Sequence, residues 1–207
     1  MSETTRTESG LKRVRAFRKG EAVADTRTPL LVWEKPYYPT YYFPEADVQI
    51  QRLDGVSLRR LASHVTFPWD SVDAWFEEDE EVFTHARDPY TRVDILQSSR
   101  HVRVVHAGVT LAESTAPRIL FETHLPPRVY LPKPHVRMDL LVPTATITHC
   151  PYKGQAAYWS LEIDGKVARH DVAWSYRSPF PESQKIAGLV SFYPGKVELY
   201  VDDARWT

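Results

Sequence analysis

One segment of the chain combines a thiol, an imidazole and an amine within a few residues, a set that could support nucleophilic catalysis. Cys150 is the only cysteine, His149 precedes it and Lys153 follows three residues later. A nearby positive charge lowers the pKa of a thiol and raises its thiolate fraction. Neighbouring residues of an extended chain point to opposite faces, so Lys153 or the more distant His135 is a better partner than His149. The structural alternative is a small buried residue before a proline turn.

Aromatic residues interleaved with charged ones form a second set, which could line a ligand pocket. Trp174 and Tyr176 are two residues apart on a predicted strand and share a face, which Tyr158 can reach across a hairpin. Aromatic walls with a few polar groups suit a small planar or cationic ligand. The predicted ligand-binding residues are Arg137, Asp139, Cys150, Tyr152, Lys153, Tyr158, Trp174 and Tyr176. Two structural alternatives remain open: packing of the rings between sheets, and an Arg137–Asp139 salt bridge.

Glutamates and histidines are weaker candidates for catalysis or metal binding. Glu34 and Glu122 occupy matching positions of an internal repeat, as do Tyr42 and Tyr130, so we predict a structural role for them. Catalysis by Glu122 is the alternative. The eight histidines show no His-x-His or His-Glu-x-x-His spacing, and one cysteine cannot build a cysteine-based zinc site. We therefore predict neither a metal site nor a cofactor.

The scaffold that must position these residues is partly repeated. Residues 14–48 align with residues 102–136 at a constant offset of 88, and ten of the 35 positions are identical. Chance would give about two identities for ordinary composition. Residues 65–78 align with 190–203 at an offset of 125, so the first copy is 37 residues shorter. The part that it lacks includes the segment from His149 to Tyr176, so the repeat separates the scaffold from the candidate site.

Short hydrophobic alternations between turn residues predict a mainly β fold, built from two related small antiparallel modules with few or no long helices. Both copies open with a hairpin, at residues 14–24 and 102–112, and Asp164-Gly165 joins the clearest hairpin, over residues 155–176. Three further local predictions are a short helix near residues 57–63, one helical turn within 179–189 and a last hairpin over 188–201.

The predicted domain boundaries follow from this organisation. We expect a flexible tail at residues 1–11, a reduced N-terminal β module at 12–78, an acidic linker at 79–99 and a complete C-terminal domain at 100–207. The acidic run from Glu77 to Glu81 is typical of a solvated face or linker. Its alternative is a clamp that pairs with arginines of either module.

The second half of the chain resembles the domain of unknown function 427 family. The similar segments are Val136–Leu141, Thr148–Gly154, Tyr158-Trp159 and Ala173–Tyr176, and the first half resembles the reduced partner of tandem members. The resemblance implies a β-tent-like fold, in which two small antiparallel sheets lean together, and it implies no established function. Some other β-tent proteins pin their sheets with a four-cysteine zinc site, which one cysteine cannot provide.

A nucleotidyltransferase label is attached to some members of this family, and we do not extend it to this chain. That chemistry uses a Gly-Ser turn followed by two carboxylates that hold Mg²⁺ against a triphosphate. The segment from Asp54 to Ser57 lacks the following carboxylate pair, and Asp202-Asp203 ends the last predicted strand.

Composition excludes several classes of partner. The formal net charge of −1 gives no general attraction for nucleic acid or for an anionic membrane. No run of about eighteen apolar residues is present that could span a membrane. The N-terminal residues have no apolar signal core, and the single cysteine agrees with a reduced, cytoplasmic setting.

These observations predict a small-molecule pocket in the C-terminal module. One alternative is an enzyme that uses Cys150, or the Asp139/Lys153 pair, for nucleophilic or acid–base chemistry on such a ligand. Another is a protein-interaction module whose tyrosine- and proline-rich segments, at residues 36–44 and 126–134, form the contact surface.

Overall fold

The computed structural model describes residues 5–206, and the contacts divide the chain into two units, Met1–Pro89 and Tyr90–Thr207. Antiparallel strands make up most of both units, and the described helical segments are short 3₁₀ turns. The mainly β fold predicted from the sequence is therefore confirmed. The 3₁₀ turns are Glu45–Asp47, Ile50–Leu53, Trp69–Ser71, Lys133–His135, Met138–Leu140 and Pro181–Ile186. None of the helical segments between residues 5 and 206 has the length and apolar composition needed to cross a membrane.

The first unit is built from two antiparallel sheets that share one core. Its strands are β1 (Arg6–Ser9), β2 (Val14–Arg18), β3 (Glu21–Thr26), β4 (Leu30–Lys35), β5 (Tyr38–Pro44), β6 (Arg59–Leu61), β7 (His64–Thr66), β8 (Ala74–Glu77) and β9 (Glu80–Val82). One sheet has the order β1-β4-β5-β7-β6, and the other has the order β3-β2-β8-β9. Between them the rings of Phe43, Phe67 and Trp75 pack with centroid distances of 5.3 to 6.0 Å.

The second unit also contains two sheets, but one of them is much larger. Its strands are β10 (Val93–Gln97), β11 (Val102–His106), β12 (Val109–Ser114), β13 (Arg118–Glu122), β14 (Arg128–Leu131), β15 (Leu141–Cys150), β16 (Gly154–Ile163), β17 (Lys166–Tyr176), β18 (Val190–Phe192), β19 (Glu198–Val201) and β20 (Ala204–Arg205). The large sheet has the order β10-β13-β14-β18-β17-β16-β15, and the small sheet has the order β12-β11-β19-β20. Buried residues of both sheets, including Val104 and Leu161, form the main core. A separate cluster that includes Tyr130 and Trp174 covers the other face of the large sheet.

Backbone geometry recurs in the two units at positions 88 residues apart. The first hairpin of each unit contains the same bulge, after Ala16 in one and after Val104 in the other. Each hairpin turns through two residues with positive φ, Lys19-Gly20 and Ala107-Gly108, as a type I′ turn requires. The two predicted opening hairpins are therefore confirmed.

The same recurrence extends further towards the N-terminus than the sequence alignment does. Arg6 of β1 pairs with Trp33, and Asp94 of β10 pairs with Phe121, so both partners differ by 88. Residues 1–11 were predicted to be a flexible tail, but Arg6–Ser9 form an edge strand held by backbone hydrogen bonds to β4. Three of its four side chains are exposed, so an apolar alternation was not required and the sequence carried no strand signal. Residues 1–4 lie outside the described part of the chain.

The pairing of β2 with β8 in the first unit, and of β11 with β19 in the second, corrects the sequence alignment by one residue. Ala16 pairs with Trp75, whereas Val104, its counterpart in the second unit, pairs with Leu199. Trp75 therefore corresponds to Leu199 at an offset of 124, and not to Tyr200 at an offset of 125. A slip of one residue moves a side chain to the opposite face of a strand. The corrected register accordingly places two buried residues, Trp75 and Leu199, at the same position.

Two local predictions are wrong and two are confirmed. Residues 57–63 do not form a short helix, because β6 and β7 pair there as a hairpin that turns at Ala62, with φ of 50°. Residues 188–201 do not form a hairpin, because β18 joins the large sheet and β19 joins the small one. The Asp164-Gly165 turn does connect β16 and β17. The helical turn predicted within residues 179–189 is the 3₁₀ turn Pro181–Ile186.

The segment expected to be an acidic linker, residues 79–99, contributes strands to both units. β9 pairs with β8 in the first unit, and β10 pairs with β13 in the second. Glu77 is buried, and its carboxylate accepts hydrogen bonds from the Tyr41 hydroxyl at 2.6 Å and the Arg87 amide at 3.1 Å. Arg15 pairs with Asp79 at 2.8 Å. The acidic run is thus a structured hairpin that pairs with an arginine of its own unit.

Three long strands distinguish the larger sheet of the second unit from its counterpart. β15, β16 and β17 extend that sheet beyond β18, whereas the first unit has only the three-residue β6 beyond β7. The predicted 37-residue deficit falls in this region. The added strands give the second unit a broad sheet face, and the candidate site lies on it.

Candidate functional site

A cleft of about 180 Å³ opens on the face of the large sheet opposite the main core. Four of the eight predicted ligand-binding residues line it: Lys153, Tyr158, Trp174 and Tyr176. These four come from the turn before β16, from β16 and from β17. At the position of β17 the first unit has only the three-residue β6, and its described residues form no strand at the positions of β15 and β16.

Strand register explains why the aromatic rings converge. Tyr158 of β16 lies opposite Trp174 of β17, and Tyr176 follows Trp174 on the same face. Ser191 of β18 lies opposite both Trp174 and Tyr130. Opposed residues of antiparallel strands project from the same face of a sheet. Rings from β14, β16 and β17 therefore share one face, and the small Ser191 leaves room between two of them.

Contacts between the rings form a continuous aromatic wall. The centroids of Trp174 and Tyr193 are 4.3 Å apart, and Tyr130 meets Trp174 edge to face with centroids 6.2 Å apart. The indole Nε1 of Trp174 donates a hydrogen bond to the Tyr130 hydroxyl at 3.3 Å. The hydroxyl oxygens of Tyr158 and Tyr193 lie 3.4 Å apart. Edge-to-face and tilted contacts of this kind hold rings in defined positions.

A buried ion pair forms part of the cleft lining. The Lys153 ammonium donates a hydrogen bond to Glu122 Oε2, and their side chains are only 10% and 7% exposed. A buried charge is tolerated when a partner of opposite sign neutralises it. Lys153 is therefore occupied by Glu122, a partner other than the Cys150 thiol that the sequence suggested.

Three tyrosines of the cleft, Tyr130, Tyr176 and Tyr193, keep their protons at neutral pH. Burial raises the pKa of Tyr130 and Tyr176 well above the ordinary value of 10.0. Burial also raises the pKa of Tyr193, and its hydrogen bond with Tyr158 adds to the effect. These hydroxyls consequently remain uncharged groups that can donate or accept hydrogen bonds.

Arg128 brings the remaining charge of the lining. It is half-buried on β14, and within residues 5–206 its guanidinium has neither an ion pair nor a hydrogen bond. The lining thus contains two cations, Arg128 and Lys153, and one carboxylate, Glu122, for a net charge of +1. Because Lys153 and Glu122 neutralise each other, the net positive charge is located at Arg128.

The other four predicted ligand-binding residues do not line the cleft. Arg137 and Asp139 pair with each other at 2.6 Å, with side chains 56% and 59% exposed, as the salt-bridge alternative proposed. Cys150 is half-buried and packs against the aromatic cluster. The Tyr152 carbonyl accepts a hydrogen bond from the Ser183 hydroxyl at 3.1 Å. The structure therefore brings Tyr158, Trp174 and Tyr176 together with Lys153 and leaves the Arg137–Asp139 pair outside the cleft lining.

Seven residues of the lining were not predicted as ligand-binding residues. They are Leu120, Glu122, Leu125, Pro126, Arg128, Tyr130 and Tyr193. Glu122 and Tyr130 were assigned to the scaffold because both copies of the repeat contain them. A signal for Arg128 did exist, since the first copy has Thr40 at the matching position. A charge that is present in only one copy distinguishes the two copies at this position.

The matching glutamate of the first unit is held by different partners. Glu34 accepts hydrogen bonds from the hydroxyls of Tyr42 and Thr40 at 2.7 and 2.8 Å, and from Arg59 of β6 at 2.6 and 2.9 Å. Burial alone would raise the pKa of Glu34, but these hydrogen bonds together hold it below its ordinary value. Burial and the Glu34 carboxylate raise the pKa of Tyr42 to about 12. The glutamate at this position is thus paired with a cation in both units. The cation is Arg59 of β6 in the first unit and Lys153 of the turn before β16 in the second.

The donor groups of the cleft suit binding by hydrogen bonds and aromatic contact. Between residues 5 and 206, no three side chains of His, Cys, Asp or Glu are grouped so that they could hold a metal ion. The polar groups of the lining are a guanidinium, an ion pair and tyrosine hydroxyls. Such groups orient an organic molecule that also contacts the rings.

Together the antiparallel sheets and the aromatic cleft define a mainly β protein of two units, with a candidate ligand site on the larger one. The chain belongs to the family described as Domain of unknown function (DUF427), whose sequence profile matches residues 6–61 and 94–203. The two matched stretches begin 88 residues apart, in the edge strands β1 and β10, which occupy corresponding positions in the two units. No curated protein matches the sequence.

Proposed function

We propose that the second unit binds one small organic molecule in the aromatic cleft. The observation that carries the proposal is the convergence of Tyr158, Trp174, Tyr176 and Tyr193 with Arg128 around one cavity. Concave, mainly aromatic surfaces with a few placed polar groups are typical of small-molecule sites. The wall is held by hydrogen bonds and ring contacts within the unit, so its geometry is preorganised for a ligand.

In this proposal the first unit is a reduced copy that no longer carries the site. Support comes from its matching hairpin, bulge and edge strand, together with the absence of counterparts for β15 and β16 among the described residues. Its glutamate is occupied by Arg59, Tyr42 and Thr40. The unit thereby retains a scaffold without the aromatic wall.

The rim of the cleft offers apolar surface that a ligand would cover. Leu125 lines the cleft and is 51% exposed. Full burial of a leucine side chain contributes roughly 1.5–3 kcal/mol relative to exposure. A ligand that covers the exposed half of Leu125 would therefore lose roughly three- to tenfold in affinity when this side chain is shortened to alanine.

A thermal-shift screen with a library of small metabolites tests the proposal. Ligands that bind the folded state raise the unfolding temperature. We expect the hits of the wild-type protein to give smaller shifts with Leu125→Ala and with Trp174→Phe, which removes the indole of the wall. Leu96→Ala is the matched control, because Leu96 is also 51% exposed in the same unit but lies outside the cleft lining.

The decisive comparison is between the two leucine variants. If every stabilising compound shifts Leu125→Ala, Trp174→Phe and the wild type by equal amounts, the ligand binds elsewhere and the proposed site is wrong. If Leu96→Ala weakens the response as much as Leu125→Ala, the loss reflects general destabilisation and the proposal also fails.

A further inference from the structure

We propose that the ligand of the cleft is a single-ring aromatic compound with one anionic group, which Arg128 binds while the ring packs against the aromatic wall. The inference rests on the proposed function and specifies the chemical class of the ligand. It keeps the planar ligand expected from the sequence and replaces the cationic alternative with an anionic one.

The first observation that supports an anionic ligand is that Arg128 has no ion-pair or hydrogen-bond partner among residues 5–206. Some other arginines of the second unit pair with carboxylates, such as Arg92 with Asp94 at 2.9 Å and Arg100 with Asp202 at 2.6 Å. Arg128 is half-buried in the cleft lining and makes no such contact with any residue from 5 to 206. A guanidinium presents five N–H donors that match a carboxylate or a phosphate. Its donors are available to a ligand in the cleft.

The charges around Arg128 favour an anion over a cation. The only carboxylate of the lining, Glu122, is neutralised by Lys153. The hydroxyl of Tyr193 is protonated, because burial raises its pKa, so it can donate a hydrogen bond and carries no negative charge. A cationic ligand would meet a net charge of +1 without a free carboxylate. An anionic ligand would meet one unpaired guanidinium and neutral donors.

The size of the cleft limits the ligand to one ring. A dry apolar cavity of about 150 Å³ holds a single benzene molecule. The cleft measures about 180 Å³, which accommodates one ring and a small substituent. Sites for drug-sized ligands are larger, at roughly 300–1,000 Å³. A nucleoside triphosphate is therefore too large to be enclosed here.

Isothermal titration with four simple probes tests the assignment on the full-length protein. Benzoate and phenyl phosphate carry an anionic group on one ring, benzamide is a neutral analogue, and benzylamine is a cationic one. Charge-assisted hydrogen bonds are about twice as strong as neutral ones, so we expect at least one anion to bind roughly tenfold or more tightly than benzamide. Tighter binding of benzoate would indicate a carboxylate ligand, and tighter binding of phenyl phosphate would indicate a phosphate ligand.

Two arginine variants assign the preference to a residue. Arg128→Gln should bring the anion affinity down to that of benzamide and leave benzamide binding nearly unchanged. Arg118→Gln is the matched control, because Arg118 is half-buried on the same hairpin and also unpaired within residues 5–206, but lies outside the lining. This variant changes the net charge equally and should keep the anion preference.

Each contrary result overturns a defined part of the inference. Equal affinity for benzamide and both anions, or a preference for benzylamine, refutes the anionic class while leaving a ring-binding cleft. An anion preference that survives Arg128→Gln refutes the assigned role of Arg128. Failure of all four probes refutes the single-ring class, and the metabolite screen with Leu125→Ala then decides separately whether the cleft binds a small molecule.

Discussion

Glu34 and Glu122 show how one residue type is retained while its surroundings change. In the first unit the carboxylate is bound by Arg59, whose side chain is 54% exposed. In the second unit it is bound by Lys153, which is almost fully buried. Attraction between exposed charges is screened by water, whereas buried charges depend on each other for neutralisation. The second pair is therefore the more sensitive to substitution.

Replacement of Lys153 by methionine should destabilise the second unit strongly. The change leaves the Glu122 carboxylate buried without its partner, which typically costs about 3–5 kcal/mol. The double variant Lys153→Met/Glu122→Gln should recover most of this loss, because no buried charge remains. Chemical denaturation monitored by tryptophan fluorescence measures both free energies of unfolding.

The exposed pair of Arg137 and Asp139 provides the control for this prediction. Both side chains are more than half exposed, so Arg137→Gln should leave the free energy of unfolding unchanged within error. A double variant as unstable as Lys153→Met would show that lost packing, and not the unpaired carboxylate, causes the effect.

Turns and strand edges decide which elements the sequence could predict. The hairpins at Lys19-Gly20, Ala107-Gly108 and Asp164-Gly165 were predictable because each turn contains a glycine, which readily adopts the positive φ that a type I′ turn requires. β1 was missed because an edge strand with exposed side chains needs no apolar alternation. The β6–β7 hairpin was missed because its turn contains Ala62, a residue that gives no turn signal.

The turn between β11 and β12 gives a prediction about backbone conformation. Gly108 has φ of 81°, and a Cβ atom added there would meet nothing within 4 Å. Alanine at this position should cost about 1 kcal/mol or somewhat more, because only the left-handed backbone conformation is penalised. The free energy of unfolding of Gly108→Ala, measured by urea denaturation, tests this value.

Gly195 is the matched control for the turn. A Cβ atom added at Gly195 would also meet nothing within 4 Å, but the backbone of this glycine does not adopt a positive φ. Gly195→Ala should therefore be neutral or slightly stabilising, since alanine restricts the unfolded chain more than glycine does. Equal losses in both variants would contradict the role assigned to backbone conformation.

At the scale of the whole molecule, each unit completes its own sheets. All strands of the two sheets of the second unit lie between Val93 and Arg205, and those of the first lie between Arg6 and Val82. The main core and the aromatic cluster of the second unit are likewise formed by residues after Tyr90. A domain that buries its own core can fold alone.

Residues 90–207 expressed alone should accordingly fold and retain the ligand response. We expect a cooperative urea transition and the same thermal shifts with hits from the metabolite screen as in the full chain. Circular dichroism in the near ultraviolet checks that the aromatic side chains are fixed. A fragment with strand content but without a cooperative transition would contradict the independence of this unit.

The sequence by itself determined the mainly β class and the family, because hydrophobic alternation, turn residues and short motifs are local patterns. It also marked the segment with Lys153, Tyr158, Trp174 and Tyr176 as absent from the first copy. Only the tertiary structure decided which side chains share a cavity. β18 lies between β14 and β17 because distant segments of the chain pair there, and that strand order places Arg128 and Tyr193 with the aromatic wall. Local patterns contain no information on strand order, because a strand with one apolar face can pair with several partners.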